Sequence, residues 1–246
     1  MKKLIIWIFL LFAFFVSNFA LSGNNFLVDF KKGNDAYRKG QWDRAAELYR
    51  LAAQGGMNNA ELWYNAGCAE WKNNSKSRAL LYFQRACRIT PRDPDLRKNM
   101  EIVQEQLGDN SKHRERIFTS ILTVFSLNEL LWALLFLVWG FFILLFIYYK
   151  FKKEIMAWMA GIFLLFMLIL GITSGLLVYQ QIKTPTAIVL SDESEVYTGP
   201  GRDYTNSGKL QGGSLVLVLS NQVNWSEISI RPGFQGWIRN EELEKI

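Results

Sequence analysis

Few residues in this 246-residue chain are of the kind that do covalent chemistry. Its one histidine, His113, stands in a basic run with Lys112, Arg114 and Arg116; its two cysteines are Cys68 and Cys87; its densest carboxylate group is Asp192, Glu193 and Glu195. Hydrolysis or group transfer needs a nucleophile with a base beside it, or a metal with its ligands. Neither the number nor the spacing of the cysteines makes a zinc site, and no Cys-x-x-Cys redox pair is present. The carboxylates stand at a strand entrance with no histidine or metal motif near them, and no glycine-rich phosphate loop occurs. These patterns point away from an enzyme and assign no catalytic residue, cofactor or metal. Cys68 and Cys87 read either as a bridge that an exported location would permit or as two small buried hydrophobes.

Binding is the remaining option, and a repeat offers a surface for it. From Phe26 to Asp93 the sequence recurs with a period of 34: Gly33 with Gly67, Tyr37 with Trp71, Ala45 with Ala79, Tyr49 with Phe83, Ala52 with Ala86. The small residues let two helices approach and the large ones fill the gap between them. The first copy, Phe30-x-x-Gly33-Asn34-x-x-Tyr37-x-x-Gly40-x-Trp42-x-x-Ala45-x-x-x-Tyr49-x-x-Ala52, resembles the tetratricopeptide repeat, a helix-turn-helix unit. The second runs from Trp63 through Gly67, Ala79, Phe83 and Ala86 to Pro91. It departs at the turn, where Asn74 replaces glycine and Lys76 an aromatic; asparagine tolerates the left-handed backbone such a turn needs. Two repeats need a cap, and Pro94 to Leu107 supplies one, an amphipathic helix with Leu96, Met100, Val103 and Leu107 on one side.

The resemblance implies that the first helix of each repeat lines a partner-binding groove. The groove would present Lys31, Asn34, Tyr37 and Arg38 from one repeat and Tyr64, Asn65, Cys68, Trp71 and Lys72 from the next. Asn34 and Asn65 match the two asparagines with which some of these repeats clamp a partner's C-terminal carboxylate. The clamp's basic members do not match, since Phe30, Asp95 and Asn99 occupy those positions, and charge-assisted bonds are about twice as strong as neutral ones. Tyr37 and Trp71 have a second reading, as packing residues of the repeats.

Two apolar runs, Leu130 to Tyr149 and Ile155 to Tyr179, carry no charge, and each is long enough for a helix to cross about 30 Å of hydrocarbon. The link Lys150-Phe151-Lys152-Lys153-Glu154 is too short for a domain and, with three lysines, belongs on the cytoplasmic side, which puts both flanking regions outside. Met1-Lys2-Lys3 followed by Leu4 to Val16 and Ala20-Leu21-Ser22 reads as an export leader, cleaved before Gly23 or retained as an anchor. The net charge of +6 is concentrated beside these segments, for residues 23–110 hold 14 basic and 11 acidic groups and residues 180–246 hold 6 and 8. Basic residues in such places are topology signals, so nucleic acid is not an expected partner. The stretch from Ile117 to Glu129 is weakly amphipathic and is expected on the membrane surface. In the second span, Ala157-x-x-x-Gly161 and Gly171-x-x-x-Gly175 permit close helix contact, either with the first span or with another membrane helix.

After Pro185 the composition changes to short β-branched and aromatic segments, Ala187 to Ser191, Glu195 to Tyr197, Ser214 to Ser220, Trp225 to Ile230 and Phe234 to Ile238, joined by turns. With its Gly199-Pro200-Gly201 turn, Leu210-x-x-Gly213, Trp225-x-x-Ile228 and Gly236-Trp237-Ile238, this region resembles the bacterial SH3 domain. The family's usual arginine before the Gly-Pro turn is missing, Tyr197 and Thr198 standing there. That resemblance implies a face for peptidoglycan peptides made by Tyr197, Tyr204, Trp225 and Trp237, although Trp225 and Trp237 read equally well as barrel core.

The expected fold class is a multidomain membrane protein: signal peptide over residues 1–22, an α-helical tetratricopeptide repeat domain over 23–110, a juxtamembrane segment over 111–129, a transmembrane helical hairpin over 130–179, a linker over 180–186 and a small all-β SH3-like barrel over 187–246. This order of segments is similar to that of the BatE family of bacterial aerotolerance (Bat) operon proteins. The similarity implies an inner-membrane scaffold with repeats and barrel on the periplasmic side, working in stress tolerance with envelope proteins that carry von Willebrand A domains and, indirectly, with a MoxR-type ATPase. The other function the segments imply is a cell-wall sensor that binds peptidoglycan through the barrel.

Overall fold

The structure, a computed structural model, describes residues 25–108, 126–152, 154–183, 185–231 and 234–246. The export leader, the basic run with His113, the surface stretch up to Phe125, and the Pro232-Gly233 turn lie outside them. Among the described residues seven helices precede the sheet: α1 Asn25–Arg38, α2 Trp42–Gln54, α3 Ala60–Lys72, α4 Lys76–Ile89, α5 Pro94–Gln106, α6 Leu127–Phe151 and α7 Glu154–Lys183. The chain divides into two compact units at Asn58 and Asn59.

In the first unit α1 and α2 pack as a helical pair around Phe30, Ala36, Ala45, Tyr49 and Ala52, all buried. The Tyr49 ring lies directly on Gly33, where an added Cβ would come within 2.7 Å of it. The turn between the helices needs the left-handed backbone of Gly40, φ 72°, and closes with Gln41 N–H donating to the Ala36 carbonyl.

The second unit repeats these devices 34 residues on. Phe83 lies on Gly67, Asn74 takes the left-handed turn at φ 61°, and Ser75 N–H donates to the Glu70 carbonyl. Asn59 caps α3 by accepting from Leu62 N–H at 2.8 Å, and Asp93 caps α5 ahead of Pro94. Helix α5 buries Leu96, Met100 and Val103 and packs against α4, the outer helix of the second repeat.

Helices α6 and α7 form an antiparallel hairpin joined at Lys152, whose φ of 48° makes the tight reversal. Phe163 of α7 rests on Gly140 of α6. Both helices are long and apolar, yet only 6% of each candidate span is buried, with Trp132, Phe136, Trp139, Phe142 and Trp158 each more than half exposed. A core helix of a water-soluble protein buries such a surface, whereas a span presents it to lipid.

The helices outrun the apolar runs at both ends. Helix α6 begins at Leu127 because Ser126 and Glu129 form a capping box, so residues 126–129 belong to this helix instead of a surface stretch. Helix α7 continues to Lys183 through most of the expected linker, stopping just before Pro185. Of the two readings of the small-residue face, contact with the first span is not the one formed. Gly161, Gly171 and Gly175 would accept a Cβ without meeting anything, so they do not pack on α6; Ala160 and Ser174 are the buried small residues of α7.

The C-terminal region is one antiparallel sheet of seven strands, β1 Thr186–Val189, β2 Glu193–Tyr197, β3 Asn206–Gln211, β4 Leu215–Asn221, β5 Trp225–Arg231, β6 Phe234–Arg239 and β7 Leu243–Lys245, in the order β3-β2-β6-β5-β4-β1-β7. Alternating residues Val189, Val196, Val216, Val218, Ile228 and Ile238 fill its core. Five strands were expected. Strand β3 escapes a periodicity search because it buries a single large residue, Leu210, among Asn206, Gly208 and Lys209, and β7 is only three residues long.

Candidate functional site

The residues expected to bind a partner fall on α1 in the first unit and on α3 in the second. On α1, Lys31 and Arg38 are exposed while Asn34 and Tyr37 are half-buried. Asn34 accepts a hydrogen bond from the Tyr49 hydroxyl at 2.7 Å, which ties α1 to α2, and Tyr37 packs edge-on against Trp42 with ring centres 4.9 Å apart. Both side chains thus serve the repeat's own packing. Arg38 pairs with Asp35 one turn earlier.

On α3, Lys72 is exposed and Tyr64, Asn65, Cys68 and Trp71 are half-buried. The Tyr64 hydroxyl accepts from Asn99 Nδ2 at 2.9 Å, so Asn99, at a position where the carboxylate clamp has a cation, ties α3 to α5. Burial pushes the Cys68 thiol pKa up, and that outweighs its bond with Tyr64 and the charge of Lys72; the group is held as a thiol and not as a nucleophilic thiolate. Cys68 and Cys87 do not form a bridge.

A second surface lies on the outward side of the sheet. Tyr197, Trp225 and Trp237 are half-buried and stand outside the core cluster, since each occupies the strand position alternate to a core residue. Tyr197 is opposite Trp237 in the ladder and meets Trp225 edge-on, ring centres 5.5 Å apart. Tyr204 is exposed and covers Gly199 and Gly201 of the Gly-Pro turn, separate from that pair. A half-open cleft of about 430 Å³ adjoins Trp225, lined also by Val223, Asn224, Arg239, Asn240 and Glu241. Its charges are matched internally, Arg239 bridging to Glu241 at 2.5 Å and to Glu242. The carboxylates of β2 are likewise engaged, Glu193 with Lys209 at 2.8 Å and Glu195 with the Tyr197 hydroxyl, whose pKa that bond raises.

One junction was not legible in the sequence. Arg85 of α4 lies over the Trp63 ring, 4.8 Å from its centre, and over Tyr82 at 5.6 Å, while Trp63 and Tyr82 stack on each other. The same guanidinium pairs with Glu244 of β7 at 2.9 Å and donates to the Lys245 carbonyl at 2.5 Å; Arg88 donates to the Ile246 carbonyl at 2.6 Å. The Gly212-Gly213 turn fits against Ser77, Leu80 and Leu107, a closeness that side chains at these positions would block. Strand β7 has one paired neighbour, β1, and the two arginines satisfy carbonyls at its open edge. The sheet is therefore docked on the outer helix of the second repeat. At the other end of that repeat, Arg92 pairs with Glu129 in the first turn of α6.

Among the described residues no three histidines, cysteines or carboxylates converge on a point that would hold a metal ion.

The comparisons with known proteins agree with the helical part of this geometry. Residues 30–94 match the tetratricopeptide repeat family, just over a quarter of the chain. No curated protein matches. Among solved structures, NlpC1 from Trichomonas vaginalis is similar at 18% identity over 26% of this chain, with a TM-score of 0.24; the chain spans 24% of that structure's length. That likeness is too slight to carry an argument. Residues 30–94 thus form a helical region similar to tetratricopeptide repeats, in a chain with two apolar helices and a C-terminal antiparallel sheet.

Proposed function

We propose that this chain is a membrane-anchored adaptor, whose repeats hold a protein partner and whose apolar hairpin keeps that partner at the membrane. The observation that carries the reading is the repeat match over residues 30–94 in a chain whose two long apolar helices leave their side chains exposed. The partner-facing residues are Lys31 and Arg38 on α1 and Lys72 with the half-buried Tyr64 and Trp71 on α3; Asn34 and Tyr37 support them from within the repeat.

In the finer reading, which rests on the order of segments and the lysines of the hairpin link, the protein is a BatE-type scaffold of a bacterial inner membrane. Repeats and barrel lie on the periplasmic side, the partners carry von Willebrand A domains, and a MoxR-type ATPase acts from the cytoplasm in aerotolerance. The test is membrane crosslinking followed by affinity purification and mass spectrometry, comparing the full chain with Lys31→Glu, Lys72→Glu, two exposed positions whose change leaves the packing intact. Loss of von Willebrand A proteins from the variant is expected; unchanged recovery sinks the adaptor reading.

A second reading, the cell-wall sensor, is favoured by the outward Tyr197–Trp225 pair and its adjoining cleft. Aromatic faces beside a half-open cleft suit a peptide of mixed charge. Co-sedimentation of the full chain with purified sacculi, abolished by Trp225→Ala, supports it; no co-sedimentation removes it.

A further inference from the structure

We infer that the tip of the β4–β5 hairpin, Leu219 to Trp225, rests in the interfacial layer of the membrane beside the exit of α7, with Val223 as its apolar contact. The inference depends on reading α6 and α7 as membrane spans.

Ladder register places the tip. Strand β1 starts at Thr186, three residues beyond the end of α7 at Lys183, and β4 runs antiparallel to it with Leu217 opposite Thr186. Val218 N–H donates to the Pro185 carbonyl at 2.9 Å. Residues after Val218 therefore extend past the start of β1, on the side from which α7 arrives. The other end of β4 follows the Gly212-Gly213 turn, which is seated on the second repeat. The tip is thus the end of the sheet away from the repeat and toward the helix exit.

The lengths agree. Val223 is six positions beyond Leu217, about 20 Å at about 3.3 Å per residue. Tyr179 is four positions before Lys183, about 6 Å of helix, and Thr186 is three positions beyond Lys183, a separation of at most about 10 Å. The reach of the tip beyond Thr186, about 20 Å, is enough to match the at most about 16 Å of chain between Thr186 and Tyr179. Tyr179 itself marks the boundary, its ring carrying the Lys183 ammonium 5.6 Å from the centre in the manner of aromatic and basic residues at a headgroup layer.

Composition and hydrogen bonding suit the tip to that layer. No charged residue occurs from Leu210 to Ser226. Val223 is 93% exposed, the highest value among the large hydrophobics of the described residues, and Leu219 is also exposed. The turn is closed by Gln222 N–H to the Trp225 carbonyl at 2.8 Å, and Asn240 Nδ2 donates to the carbonyls of Gln222 and Val223 at 2.8 and 3.2 Å. Backbone groups already paired inside the protein lose little on leaving water. The tip itself is neutral and the charges beside it, Arg239 with Glu241 and Glu242, are paired with one another, so the contact does not require anionic lipid.

The test places one environment-sensitive fluorophore on the full chain, in a Cys68→Ser, Cys87→Ser background, at Val223→Cys, at Phe142→Cys within α6 or at Gln235→Cys at the far end of β6. The chain is reconstituted in phosphatidylcholine vesicles with and without brominated acyl chains. All three positions are exposed, so the labels do not disturb the core. The expected result is strong quenching at 142, at least about twofold quenching at 223 with a blue-shifted emission, and little at 235. Quenching at 142 with position 223 behaving like 235 overturns the inference. Absence of quenching at 142 overturns the membrane reading beneath it.

Discussion

Replacing Arg85 by alanine is expected to release the C-terminal sheet from the second repeat. Its guanidinium lies 4.8 Å from the centre of Trp63 and 5.6 Å from that of Tyr82, a partly desolvated cation–π contact of about 1 kcal/mol. The ion pair with Glu244 joins side chains that are 20% and 38% exposed, which limits it to about 1 kcal/mol. The charge-assisted bond to the Lys245 carbonyl adds about 1 kcal/mol. About 3 kcal/mol corresponds to about a 100-fold shift in the equilibrium between docked and undocked sheet. Spin labels at Lys72→Cys and Gln235→Cys, in a chain lacking its native cysteines and held in a lipid nanodisc, report the docking by double electron–electron resonance. The parent chain should give one narrow distance, and Arg85→Ala a broad distribution. Arg85→Glu combined with Glu244→Arg should recover part of the narrow component, since it restores the ion pair but not the stacking. A narrow distance unchanged by Arg85→Ala would refute the reasoning.

Gly33→Ala and Gly67→Ala should each lower stability by about 1–3 kcal/mol, because the new methyl would meet Tyr49 and Phe83 at 2.7 and 2.6 Å; unchanged thermal unfolding in either variant, followed by circular dichroism, would contradict the packing. At the left-handed turn of the second repeat, Asn74→Ala should cost about 1 kcal/mol and Asn74→Gly nothing, so an alanine variant as stable as the parent would disprove the turn's backbone requirement. Burial, aided by Glu244 and Glu70, pushes the Tyr82 pKa up to about 12, above its ordinary value of about 10. A hydroxyl that is harder to ionise in the folded state stabilises fully below pH 10, and that stability is lost as pH rises toward 12, by about 2–3 kcal/mol. Alkaline unfolding followed by circular dichroism should show this slope in the parent chain and lose it in Tyr82→Phe.

Much of the architecture was legible because its determinants are local. Gly33 and Tyr49, like Gly67 and Phe83, are close in sequence and recur at a period of 34, so each repeat announces its own helix contact. The left-handed turn at Asn74 follows from its alignment with Gly40. The two apolar helices follow from run length, which is a property of the chain alone. Their exact ends do not, for they depend on the capping box at Ser126 and on Pro185.

The candidate surfaces were legible only as positions. That Asn34 is engaged by Tyr49, that Tyr64 is tied to Asn99, and that Trp225 and Trp237 stand on the outer face of the sheet are results of packing. Repeat period, apolar run length and strand alternation determined the helical repeats, the two apolar helices and most of the strands, since those depend on neighbours a few residues to one period away. Tertiary structure alone decided the strands β3 and β7, the open small-residue face of α7, and the seat of the sheet on Arg85 and Arg88. Those contacts join residues about 160 positions apart, and no spacing along a chain encodes which distant surface will be brought against it.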